Sequence, residues 1–128
     1  MHRRFRLRQA RDFERLRRHG RRYQHPFVVL VVVANEERVS RFGFTASRRV
    51  GNAVKRNRAK RLLREAVRLH IDNVQSGYDC LFIAKLATSR VSYLEIEAAI
   101  LQLLESAGVL KIDREPESRV FTVSKGFA

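Results

Sequence analysis

The feature that most constrains the fold is an unbroken, valine-rich apolar run from Phe27 to Ala34. A short run of β-branched residues is typical of a buried strand. This run is the longest apolar one in the chain, and it has only about half the length that a membrane-spanning helix requires. The polar residues Asn35-Glu36-Glu37 that follow it predict a turn. The sequence therefore predicts a sheet and no segment that crosses a membrane.

A second strand is predicted from Val39 to Ser47, and we expect it to form a hairpin with the first. Successive side chains of a strand point to opposite faces. One face of this strand would therefore carry Phe42, Phe44 and Ala46, and the other Arg41, Gly43, Thr45 and Ser47. The predicted sheet has one apolar face and one face of small and polar residues.

Three helices are predicted from apolar spacing and from the residues that cap them: about Gln9 to His19, Asn52 to His70 and Tyr93 to Ala107. Between the last two, Tyr78 to Lys85 predicts a strand that runs parallel to its predecessor, because a helix connects them. The tail contains two β-like pieces, Val109 to Ile112 and Val120 to Val123. They form either an added hairpin or a mobile extension.

These elements predict an α+β protein, a single-domain α/β sandwich with the order α-β-β-β-α-β-α and parallel strands around the long helix. This order contains one further strand before Phe27–Ala34, without assigned bounds, and the pairing of that strand stays open. A chain of 128 residues is in the usual range for one domain. We expect residues 1–108 to form that domain and residues 109–128 to be a C-terminal extension rather than a separate domain.

Positive charge is concentrated in the first half of the chain. The net charge is +14, and residues 1–68 carry 21 Lys and Arg against 5 Asp and Glu, whereas residues 69–128 carry 6 against 8. Such an excess indicates a polyanionic partner, either nucleic acid or an acidic membrane surface. A single cysteine, Cys80, excludes an internal disulfide and leaves no familiar zinc pattern. With no secretory signal evident, we expect a cytoplasmic protein.

The long helix separates apolar and basic residues onto opposite faces. The predicted buried stripe contains Ala59, Leu62, Leu63, Ala66, Val67 and Leu69. The opposite arc contains Asn57, Arg58, Lys60, Arg61, Arg64, Glu65 and Arg68. Neighbours four apart, such as Lys60 and Arg64, carry like charges, which destabilises a helix unless an anion neutralises them. We therefore predict that this face binds phosphates, and that Arg56, at the margin of the stripe, reaches toward the sheet.

The stretch from Phe42 to Glu65 resembles the signature of the bacterial ribonuclease P protein family. It contains Arg48-Arg49, a short aliphatic residue, Gly51-Asn52-Ala53-Val54, and then Arg56-Asn57-Arg58-x-Lys60-Arg61-x-x-Arg64-Glu65. The resemblance covers about Arg6 to Ala107. It implies an α/β sandwich whose parallel strands are joined by a left-handed crossover, although right-handed connections are the general rule.

The resemblance also implies a division of labour in the cleavage of precursor tRNA. In this family a large RNA subunit holds the magnesium ions and cuts the substrate, while the protein binds that RNA and the single-stranded 5′ leader. We therefore expect Mg²⁺ to be held mainly by the RNA subunit, and we predict no catalytic and no metal-ligating residue in this chain. Its partners would be the catalytic RNA and precursor tRNA.

The RNA-binding residues combine the basic helix with the donors of its preceding loop: Arg48, Arg49, Asn52, Lys55, Arg56, Asn57, Arg58, Lys60, Arg61, Arg64 and Arg68. The leader-binding cleft predicted from the resemblance contains Phe13, Arg17, Leu30, Arg41, Gly43, Thr45 and Ser47. Arg17 and Leu30 stand where aromatic residues often line that cleft. Arg17 would stack its guanidinium plane or grip a phosphate, and Leu30 offers apolar contact. Phe13 belongs either to the cleft or to the core.

Three other functions are consistent with part of the pattern. A structural ribosomal protein would have the same charge and size, but it would not require the Gly51-to-Arg58 string. An independent nuclease would need an acid, base or metal cluster, and the four histidines are scattered along the sequence. A membrane-surface protein would need aromatic anchors on the apolar side of the basic helix, which has mainly Ala, Leu and Val.

Overall fold

A computed structural model describes residues 3–111, which form one mixed sheet with helices on both faces. The helices are α1 (Ala10–His19), α2 (Ala53–Arg68) and α3 (Tyr93–Ser106), and the strands are β1 (Arg21–Gln24), β2 (Val28–Ala34), β3 (Arg41–Ala46) and β4 (Tyr78–Ala84). Short 3-10 turns occupy Arg3–Phe5, Arg48–Val50, Ile71–Asn73 and Leu86–Arg90. The predicted α+β class and the order α-β-β-β-α-β-α are confirmed.

The strands are arranged in the order β1-β2-β4-β3. β1 pairs antiparallel with β2, which settles the partner of the first strand, and β2 pairs antiparallel with β4. The predicted hairpin between β2 and β3 is therefore wrong, because β4 lies between them. β4 is buried or half-buried along both of its faces, which is typical of a strand in the interior of a sheet, and it pairs with β2 on one edge and with β3 on the other. Residues 35–40 are long enough to cross over it.

The predicted parallel pairing is confirmed between β3 and β4, where Phe42 is opposite Cys80 and Phe44 is opposite Phe82. Helix α2 makes the connection between these two strands, as parallel strands require. The left-handed sense of this crossover stays a prediction of the resemblance.

The two faces of the sheet have different covers. Helices α2 and α3 pack on one face and enclose the main core, which includes the buried residues Leu30, Phe42, Leu63, Phe82 and Ile100. Helix α1 packs on the other face over a smaller cluster of Leu7, Leu16, Val29 and Val31. The predicted stripe of α2 is correct for Ala59, Leu63, Ala66 and Val67. It is wrong for Leu69, which is 52% exposed because the helix ends at Arg68.

Both ends of the described chain are attached to the domain. Near the start, Arg6 forms a parallel bridge with Phe42, and the Leu7 amide donates to the Phe42 carbonyl at 2.9 Å. Near the end, Leu110 forms an antiparallel bridge with Val74. The first predicted β-like piece of the tail is described as far as Lys111, and the second, Val120 to Val123, lies outside the described residues. The division at residue 108 stays a prediction.

Candidate nucleic-acid interface

The start of α2 is shaped by two local hydrogen bonds and by the backbone conformation of Gly51. The Asn52 side-chain oxygen accepts from the Lys55 amide at 3.0 Å and caps the helix. Gly51 has a φ of 136°, a conformation that L side chains rarely adopt, which explains why the motif has glycine there. The Arg56 guanidinium donates to the Gly51 carbonyl at 2.8 Å. Arg56 therefore lies at the margin of the helix as predicted and holds the turn that precedes it.

Six predicted RNA-binding residues of α2 and its cap are exposed to solvent: Asn52, Lys55, Asn57, Arg58, Arg61 and Arg68. Within residues 3–111, Lys55, Arg58 and Arg61 have no salt-bridge partner, and Arg48 and Arg49 are exposed in the preceding turn. Arg68 differs, because its Nη2 lies 2.5 Å from Oε1 of Glu65. The first half of the helix thus presents cations without acidic partners, which is the arrangement that binds phosphates.

Arg64 and Lys60 were predicted to lie on the exposed face of the helix. Both are half-buried instead. The Arg64 guanidinium lies over the ring of Phe44, with its Cζ 5.6 Å from the ring centroid. Burial, with the nearby charges of Arg6 and Arg61, lowers the pKa of Arg64. Its Nε is buried and has no hydrogen-bond partner among the described residues. A cation in this position is stabilised by an added anion.

The opposite face of the sheet, which α1 covers, carries Gly43. A Cβ on Gly43 would lie 3.1 Å from Phe13 Cε1, 3.2 Å from Leu7 Cδ1 and 3.3 Å from Leu81 Cδ1. Gly43 is therefore buried beneath these side chains, and the predicted role of Gly43 as an accessible cleft floor is wrong. A side chain at this position would crowd Phe13, Leu7 and Leu81, which would each have to shift by a few tenths of an ångström.

The accessible part of this face begins beyond Gly43, and we call it the sheet groove. It is formed by half-buried Phe13, Leu81 and Ile83, by exposed Thr45 and by half-buried Ser47. Phe13 packs against the cluster beneath α1 and also keeps part of its ring accessible. The core packing of Phe13 is confirmed, and its place in a leader-binding cleft stays a prediction.

Three other predicted cleft residues are placed differently. Leu30 is fully buried in the main core on the opposite face of the sheet, so its assignment to the cleft is wrong. Arg41 is on the predicted face, but its guanidinium is bound to Asp79 and Asp12, and its hydrogen bond to Asp79 raises its pKa. Arg41 is therefore not available for the leader. Arg17 is exposed and its Nη2 lies 2.5 Å from Oε2 of Glu14.

Sequence reasoning missed a cationic cleft at the carboxyl ends of β3 and β4. It has a volume of about 560 Å³ and is lined by Pro26, Ser47, Arg49, Lys85, Leu86, Ala87 and Arg90. Ser47 belongs to both the sheet groove and this cleft, so the two are continuous. The sequence feature that could have indicated this cleft is the pair Lys85 and Arg90, the only Lys or Arg residues between positions 69 and 110.

The part of the chain that the structure describes lacks two other kinds of feature. Within residues 3–111, no three His, Cys, Asp or Glu side chains come together in a group that could hold a metal ion. In the same part of the chain, no helix has the length and apolar character needed to cross a membrane.

Comparisons with known proteins agree with this geometry. The sequence profile of the Ribonuclease P family matches residues 1–108. A "Ribonuclease P protein component" of Clostridium botulinum (strain Langeland) is 38% identical over 104 residues, which cover 80% of this chain and 94% of the relative. The protein of the same name from Roseiflexus sp. (strain RS-1) is 38% identical over 119 residues, covering 92% of this chain and 98% of the relative.

Solved structures show the same fold. The RNase P protein of Staphylococcus aureus superposes with a TM-score of 0.75 at 28% identity, covering 84% of this chain and 98% of that one. The RNase P protein from Thermotoga maritima superposes with a TM-score of 0.71 at 30% identity, covering 79% and 96%. From the profile match, the relatives and the fold together, this chain belongs to the ribonuclease P protein family.

Proposed function

We propose that this chain is the protein subunit of a ribonuclease P ribonucleoprotein, an endoribonuclease that removes the 5′ leader of precursor tRNA in the cytoplasm. The observation that supports it most strongly is the row of unpaired cations on the first half of α2, in a chain that belongs to this family. Lys55, Arg58 and Arg61 would bind phosphates of the catalytic RNA. Their charges need no rearrangement of internal ion pairs, since they have none within residues 3–111.

The leader would lie on the sheet groove. Its bases would stack on the accessible part of Phe13, and the hydroxyls of Thr45 and Ser47 would donate to phosphate or sugar oxygens. Stacking on an aromatic ring accepts any base, so the groove would bind leaders of varied sequence. Beyond Ser47 the RNA leader would contact Arg49. Arg17 would join these contacts only by giving up its ion pair with Glu14.

Hydrolysis itself would belong to the RNA subunit together with Mg²⁺. The chain would contribute binding and orientation: it would hold the substrate strand close to the catalytic RNA and reduce repulsion between the two polyanions. Raising the affinity for substrate in this way does not require a nucleophile or a general base in the protein.

The alternative of a structural ribosomal protein gains no support from the comparisons, because the profile and the relatives carry the ribonuclease P name. The alternative of an independent nuclease fits the described histidines poorly. His70 is paired with Glu97 at 2.7 Å, and the His25 ring accepts from the Phe27 amide at 3.1 Å. The two are on separate elements.

A reconstitution experiment tests the proposal. The purified chain is added to a ribonuclease P RNA and a precursor tRNA at low magnesium, where the RNA alone is nearly inactive. We expect the chain to restore cleavage at the leader junction, and the variant Arg58→Ala/Arg61→Ala to restore it less at the same protein concentration. No gain over RNA alone, with that RNA active at high magnesium, would overturn the proposal.

A further inference from the structure

A buried carboxylate lies at the start of β4 and accepts four hydrogen bonds. Asp79 is fully buried. Its oxygens accept from Arg15 Nη2 at 2.7 Å, from Asn35 Nδ2 at 2.7 Å, and from Arg41 Nε and Nη2 at 3.0 and 2.9 Å. Neither the phosphate-binding face nor the sheet groove includes this group. A buried charge with this many partners is costly to disturb, since removing one partner leaves an uncompensated charge.

Helix α1 supplies half of the charged groups in this network. Arg15 donates to Asp79 and, through Nη1, to the Ala34 carbonyl at 3.0 Å. Asp12 Oδ1 lies 3.3 Å from Arg41 Nη2 and 3.6 Å from Arg15 Nη2. These bonds link α1 to the end of β2, to β3 and to β4. Two cations balance two carboxylates, so the network as a whole is neutral.

The apolar attachment of α1 is small by comparison. Leu16 is the only apolar side chain of this helix that is fully buried, and Phe13 is half-buried. One buried leucine favours contact with the sheet but does not by itself fix the rotation or the height of a helix, because apolar burial is not directional. Charge-assisted hydrogen bonds are directional. The position of Phe13 over Gly43 therefore depends on the network.

We propose that Asp79, acting through Arg15 and with Arg41 and Asp12, is a positioning group that sets the distance between α1 and β3. That distance places the ring of Phe13 over Gly43 and so determines how the sheet groove holds single-stranded RNA. The inference rests on the proposed function. It adds residues that never touch RNA but on which leader binding depends.

The test uses a charge-balanced variant, Asp12→Asn/Arg15→Met. It removes one cation and one carboxylate from α1 and leaves Arg41 paired with Asp79, so no buried charge is uncompensated. The control is Arg18→Met, which removes one exposed ion pair from the same helix and leaves Glu14 paired with Arg17. Each protein is assembled with the catalytic RNA. Affinity is then measured for precursor tRNA with a several-nucleotide leader and with a one-nucleotide leader.

We expect the Asp12→Asn/Arg15→Met variant to bind the long-leader substrate about tenfold more weakly, the loss that follows when stacking on one aromatic ring is removed. Affinity for the one-nucleotide substrate and for the catalytic RNA should change less than about twofold, because α2 is not moved. Hydrogen exchange should become faster in α1 and stay unchanged in α2 and α3. Equal losses for both substrates, or the same losses in the control, would overturn the inference.

Two further variants keep the test decisive. If the double variant fails to fold, Arg15→Lys replaces it, because lysine keeps the charge but cannot reach both Asp79 and the Ala34 carbonyl; a partial loss of leader discrimination is expected, and none would contradict the inference. Phe13→Ala is measured in parallel. Unchanged leader discrimination in Phe13→Ala would overturn the proposed leader groove itself, whereas a loss in Phe13→Ala with none in the α1 variants would overturn only the positioning role.

Discussion

The guanidinium of Arg64 lies over the ring of Phe44, 5.6 Å from its centroid, with Arg6 and Arg61 as its charged neighbours. The cation is therefore held in place by the protein itself. Stacking on the ring stabilises it, while partial burial and like charges oppose its ionisation. An anion bound at this position would relieve that opposition.

This balance predicts that Arg64→Met weakens binding of the catalytic RNA without lowering the stability of the free protein. Methionine keeps apolar contact with Phe44 and removes the repulsion, so we expect the Tm of the free protein to be unchanged or higher. Affinity for the catalytic RNA should fall, and the salt dependence of log K should lose about 0.7–0.9 of its slope, the contribution of one phosphate contact. A lower Tm with an unchanged slope would show that Arg64 is structural only. Arg58→Met is the control, because it removes one positive charge from the exposed surface of the same helix.

Gly51 should tolerate no side chain. Its φ of 136° with ψ of −149° is a backbone region that is essentially restricted to glycine, and a Cβ would meet Lys55 Cδ at 2.7 Å. We expect Gly51→Ala to lower the free energy of unfolding by about 1–3 kcal/mol, measured by urea denaturation. RNA affinity should also fall, because the Gly51 carbonyl accepts from Arg56. Gly108→Ala is the control: its φ is also positive, but no atom crowds it.

Leu30 and Thr45 should behave in opposite ways. Leu30→Ala opens a cavity in the main core and should cost about 2–5 kcal/mol of stability. At a temperature where that variant is folded, its preference for long over short leaders should be normal. Thr45→Ala should leave the urea midpoint unchanged and weaken binding of long leaders. A leader-specific defect in Leu30→Ala would return this residue to the cleft.

Cys80 should be unreactive in the folded protein. Burial, with a smaller effect of the Asp79 charge, raises its pKa from an ordinary value near 9 to about 12. The thiol therefore stays protonated at pH 8, and we expect a thiol reagent such as DTNB to react only when urea unfolds the chain. Because the folded pKa is the higher one, the stability that depends on the protonated thiol is complete below pH 9. It is lost as pH rises from 9 toward 12, so the stability difference from Cys80→Ala should change only in that range.

Much of the fold could be predicted because a local hydrophobic pattern is sufficient to define a single helix or strand. The alternation from Phe42 to Ser47 assigned the faces of β3 correctly, and the 3.6-residue spacing located α2. The place of β4 could not be predicted, since pairing depends on which strand edges meet in three dimensions. β2 is apolar on both faces, so no alternation reveals which face carries Leu30.

The candidate site, too, could be predicted only where a local pattern decides the position of a side chain. The exposed cations of α2 follow from the helical period. The ion pair of Arg41 does not follow from any local pattern, because its partner Asp79 is 38 residues further along the chain. Arg64 was expected on the outer arc for its position in the helix, but the sequence contains no sign that Phe44 lies under it.

The central position of β4 has a consequence for how the protein is made. Because synthesis proceeds from the N-terminus, β2, β3 and the whole of α2 leave the ribosome before the strand that joins them. Until residues 78–84 emerge, β2 lacks a partner on one edge and β3 cannot join the sheet, while α2 has no complete surface on which to bury its leucines. A nascent chain that stops short of Tyr78 would carry the exposed cations of α2 without the folded domain that orients them. Exposed strand edges of this kind promote aggregation, so a pause in translation just before Tyr78 is the point at which this chain is most vulnerable.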